Sequence, residues 1–99
     1  MKLSQTFYEM ENNYPELCHD IQIIEDCLDK FQSQLPFIKE LEAYYGSESW
    51  YQDRECEANG QIPPNQTRTV LGEDYVYNSL IELHELAIRM LEISTQVLK

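Results

Sequence analysis

Two histidines and three cysteines limit the chemistry that this 99-residue chain can carry. Glu16 and His19 have the Glu-x-x-His spacing that places a carboxylate and an imidazole on one helix face in di-iron bundles. Such a site needs a second pair, and Ile81 stands three residues before the other histidine, His84. His84-Glu85 opens like a zinc-protease helix, but Ile88 holds the position of the second histidine. Asp53, Glu55, Glu57 and Asn59 ahead of Gly60 resemble part of a calcium loop. There the glycine falls two residues late and Pro64 replaces the bidentate acid. A solvated acidic helix face is the simpler reading of those four residues, and neither a metal site nor a cofactor is expected. Cys18, Cys27 and Cys56 lack both the paired spacing of a zinc cluster and an identifiable neighbouring base. Asp53 and Glu57, one helical turn apart, have a spacing suited to acid–base work. In a chain this acidic such a spacing arises readily, so the expectation is of a protein without enzymatic activity.

The aromatic residues are more concentrated. Tyr44, Tyr45, Trp50 and Tyr51 fall within eight positions, and Tyr75 and Tyr77 follow a loop-like segment. The loop must return the chain, so the two groups are expected to meet. The simplest product is a small core that fastens the loop. The functional product is a surface on which aromatics with polar tips anchor a partner. The candidate binding surface is Tyr44, Tyr45, Trp50, Asp53, Glu57, Arg68, Glu73, Asp74 and Tyr77. Arg54 and Arg68 lie in the same acidic region, where arginines commonly tie down neighbouring carboxylates.

The elements that would position this surface are helices. Leu3, Phe7, Met10, Tyr14, Leu17, Ile21, Ile24, Leu28, Phe31, Leu35 and Ile38 alternate steps of four and three, a heptad pattern with Phe7 at an a position and Leu3 at a d position. Unbroken from Leu3 to Tyr45, this helix would be roughly 65 Å long. Pro15 is expected to kink it and Pro36, preceded by the capping residue Ser33, to break or sharply bend it. Ser47 or Ser49 can cap a short helix ending near Ala58, and Ser49 with Gln52 fits a capping box. Asn59-Gly60 is a stop signal, and residues 59–72 read as loop. A final helix from about Glu73 to Leu98 is apolar over much of its girth, through Val76, Leu80, Leu83, Ala87, Met90 and Val97 with Ile81, Leu86 and Leu91 beside them. The expected fold is all-α: one domain over residues 1–99, a small antiparallel bundle with approximate helices 3–32, 34–45, 48–58 and 73–98. The heptad ridge would be buried against the last helix.

Eighteen acids against seven bases give a net charge of −11. That charge repels phosphate backbones and anionic membranes, so no nucleic-acid or membrane partner is expected. No apolar stretch approaches the length needed to span a bilayer. The opening residues Met1–Thr6 carry no apolar signal core, and three unpaired thiols suit a reducing cytoplasm.

Leu41, Tyr44-Tyr45-Gly46-Ser47, Trp50 and Asp53, followed by Glu57, Gly60, Pro63, Val70-Leu71, Glu73-Asp74 and Tyr77, resemble a family of small bacterial proteins described as a domain of unknown function, DUF4298. The resemblance extends over nearly the whole chain and is most specific between Leu41 and Tyr77. It implies a bacterial cytoplasmic protein and brings no catalytic residues. The functional expectation is an interaction or adaptor domain that self-associates or captures a protein partner. The rival is a cation- or small-molecule-binding protein, or an enzyme, with a pocket between the Tyr44–Asp53 and Glu73–Tyr77 segments. Mimicry of nucleic acid to occupy a DNA-binding protein is a third reading, resting on charge alone.

Overall fold

The computed structural model describes all 99 residues, and they form three α-helices and no strand. α1 runs Gln5–Tyr44, α2 Glu48–Ala58 and α3 Glu73–Val97. A single 3₁₀ turn, Thr69–Leu71, precedes α3. The chain divides into two compact units, Met1–Ile38 and Lys39–Lys99.

The first unit is the greater part of α1. Ser4 starts the helix: its side-chain oxygen accepts from the Phe7 N–H at 3.1 Å, which satisfies one of the orphan donors of the first turn. The break expected at Pro36 is absent, and both Pro15 and Pro36 lie inside the helix. Each proline removes the N–H that would serve the carbonyl four residues earlier. Those carbonyls belong to Glu11 and Gln32, both on exposed residues, where water can take the place of the missing donor.

The heptad ridge is also corrected. It is uncovered along most of its length: Met10, Tyr14, Leu17, Ile21, Ile24 and Leu28 each leave more than half of their surface exposed. Of the eleven ridge residues only Phe31 is half-buried and only Ile38 buried. The period of apolar residues selects a face of the helix, and that face is present, but the chain does not bury it.

The second unit holds Trp50, Leu71 and Val76, each no more than 5% exposed. Its elements begin and end on local signals. Gly46 and Gly60, at φ +79° and +73°, follow α1 and α2 in the left-handed conformation that glycine adopts without steric cost. After α2 the Gln61 N–H reaches the Cys56 carbonyl and the Gly60 N–H the Glu57 carbonyl, the paired bonds of a Schellman ending. Ser47 caps α2, its side chain accepting from the Trp50 N–H at 3.2 Å. Ser49 lies within the helix, so the capping box read at Ser49 and Gln52 does not form. Instead Gln52 donates to Glu48 one turn back at 3.4 Å. α3 begins at Gly72 without a side-chain cap, with Glu73 and Asp74 in its first turn where the helix dipole favours negative charge. Of α3 only Val76 is buried, with Leu80 and Leu83 half-buried. Leu86, Ile88, Met90, Leu91 and Ile93 are exposed, so the last helix does not have the several apolar neighbours expected of it.

Candidate functional site

The second unit is organised around the single tryptophan. Trp50 sits on the first turns of α2 because Ser47 sets the start of that helix. Its ring is 3% exposed, and its indole N–H donates to the Val70 carbonyl at 2.8 Å. The 3₁₀ turn thereby supplies the polar partner that a buried indole needs, and packs against both α2 and α3. Tyr45 and Tyr51 meet the indole edge-on, each at a centroid distance of 5.0 Å. The Arg54 guanidinium lies 4.8 Å from the ring centroid, in cation–π range, and reaches Glu73 at 3.3 Å.

Further bonds draw the segment after α1 towards the start of α3. The Tyr45 hydroxyl donates to the main-chain carbonyl of Glu73 at 2.8 Å. Tyr44 turns elsewhere: its hydroxyl donates to the Asp53 carboxylate at 2.6 Å. Partial burial, then the hydrogen bond and the negative charge of Asp53, push the Tyr44 hydroxyl up to about 12. Arg68 reaches Glu57 at 3.7 Å, linking the loop to α2.

The nine residues of the candidate surface thus fall into distinct groups. Tyr45, Trp50, Glu73, Asp74 and Tyr77 line one open depression of about 430 Å³, together with Gly46, Tyr51 and Arg54. Tyr44 and Asp53 form a separate pair, and so do Glu57 and Arg68. None of these last four lines the depression. Gly46 escaped the sequence reading because a glycine that ends a helix carries no signal of what lies beside it. The Val70 carbonyl escaped it because every residue carries the same acceptor.

The arrangement gives little to catalysis. Asp53 is engaged by Tyr44 and Glu57 by Arg68, so neither carboxylate of the spaced pair stands free as a base. The residues of the would-be calcium loop are on α2, with Asn59 as its C-cap. No three histidine, cysteine or acidic side chains converge as metal ligands. The cysteines are free thiols, exposed at Cys18 and Cys27 and half-buried at Cys56. No helix is long and apolar enough to cross a membrane.

The family described as a domain of unknown function (DUF4298) matches residues 7–93. No curated protein and no solved structure matches the chain.

Proposed function

We propose, for a chain that belongs to the DUF4298 family, that it is a non-enzymatic interaction domain of the bacterial cytoplasm, and that the apolar ridge of α1 is its contact surface. One observation carries this reading: nine of the eleven heptad positions from Leu3 to Leu35 are exposed. Soluble proteins seldom leave an apolar surface of that extent in water unless something covers it. The ground differs from the one the heptads first suggest, a ridge buried inside the chain with a seam left over. The family resemblance and the free thiols support the bacterial, reducing setting.

The test compares the full chain with an Ile24→Glu/Leu28→Glu variant as baits in extracts of the source cells. A protein retained by the first and lost by the second supports the reading. Retention of the same proteins by both overturns it.

The depression beside Trp50 favours a second reading, a site for a small cationic or aromatic molecule. Tyr45, Tyr51 and Tyr77 offer ring surface there, and Glu73 and Asp74 offer negative charge. A ligand at a hundred times its dissociation constant stabilises the folded chain by about 2.7 kcal/mol. Melting curves against a panel of divalent ions, amines and metabolites read that gain, and no shift with any of them sets this reading aside.

A further inference from the structure

Resting on the interaction reading above, we infer that the occupant of the α1 ridge is a second copy of this chain, laid ridge to ridge as a two-helix coiled coil.

Three observations support this choice. The first is area. A folded monomer of 11.7 kDa exposes about 5,900 Å² by the usual scaling of surface with mass. This chain exposes 8927 Å². The excess is well above the roughly 800 Å² that each partner buries in a standard stable interface.

The second is the period. Knobs-into-holes packing needs a partner with the same 3.5-residue repeat over the same length. A second α1 supplies both by construction, and a symmetric pair closes without leaving an open end.

The third is charge. The positions that flank a coiled-coil seam are e and g. Between Phe7 and Leu35 five of the eight are uncharged: Asn13, Cys18, Cys27, Gln32 and Gln34. A ridge built for a basic helix would be lined with acids on both sides. Here the acids are placed mostly on outward positions, which lowers the repulsion between two chains of net charge −11.

Sedimentation equilibrium of the full chain over a wide concentration range tests the inference. The expected mass is twice that of one 11.7 kDa chain. Ile24→Glu/Leu28→Glu is expected to reduce it to a single chain. Trp50 emission should be unchanged in that variant, since the indole is buried in the other unit. Asn12→Glu/Ser33→Glu adds the same charge at outward f positions and should remain a dimer. Added salt should tighten the pair by screening its self-repulsion, whereas a complex with a basic partner would loosen.

A single-chain mass at every concentration, or a mass of more than two chains, overturns the inference. A dimer that survives Ile24→Glu/Leu28→Glu also overturns it, because the contact would then lie off the ridge. If the chain is monomeric yet still captures a protein through the ridge, only the second copy falls. If that capture fails as well, the interaction reading falls with it.

Discussion

The Trp50 indole N–H and the Val70 carbonyl, twenty residues apart in sequence, are joined by a 2.8 Å hydrogen bond. That bond holds the 3₁₀ turn against α2, and Leu71 beside it is one of the four buried side chains. With so few core residues, each carries a large share of the stability of its unit.

Trp50→Phe removes the bond and part of the ring while keeping an aromatic in place. It is expected to cost about 2 kcal/mol, the lost hydrogen bond plus a partial cavity. Urea unfolding followed by helical circular dichroism measures it. A change below the error of that measurement would mean that the indole does not fasten the turn.

Tyr44 should titrate late. Its hydroxyl is pushed up to about 12, against 10 for an ordinary tyrosine. The folded chain therefore holds this proton more tightly than the unfolded chain does. Its contribution to stability is complete below about pH 10 and is lost as the pH rises towards 12. Tyrosinate absorbance of the folded protein should show one late-titrating hydroxyl, and Tyr44→Phe should abolish it. A set of seven tyrosines that titrates identically with and without Tyr44 would refute this.

Ser47 and Ser49 should respond differently. Ser47→Ala deletes the acceptor for the Trp50 N–H and is expected to cost about 1 kcal/mol. Ser47→Asp should restore most of the loss. Ser49→Ala, in an exposed position inside α2, should change stability by less than about 0.5 kcal/mol. Thermal melts of the three variants distinguish these outcomes, and equal effects at the two serines would misplace the cap.

Gly46→Ala and Gly60→Ala isolate a backbone effect. No atom lies within 4 Å of an added Cβ at either position, so no clash contributes. The positive φ alone is expected to cost about 1–2 kcal/mol at each site. Gly72 has an ordinary φ of −73°, so alanine there meets no such penalty, only the Tyr75 ring at 2.9 Å. That ring is exposed and free to move. Denaturant midpoints should therefore fall clearly for the first two variants and little for the third.

How much could be read in advance follows from what each signal encodes. Spacing, caps and stop residues are local, and they made the all-helical class legible, with a long first helix, a short middle one and a long last one. Pro36 misled because the penalty of an internal proline depends on whether its orphaned carbonyl can reach water, which is a property of the folded surroundings. The residue types between Leu41 and Tyr77 pointed to the family, and the match over residues 7–93 places the chain in it.

The sequence by itself determined which residues share each helix face, because a period of three and four is written along one strand of text. Only the tertiary structure decided which of those faces are covered, for covering needs atoms from elsewhere. Trp50, Leu71 and Val76 are buried, while Ile21, Ile24 and Leu28 remain in water. It also decided the pairings of Tyr45 with the Glu73 carbonyl and of Trp50 with the Val70 carbonyl. A main-chain acceptor is identical at every residue, so its partner is chosen by approach in space and leaves no mark in the order of side chains.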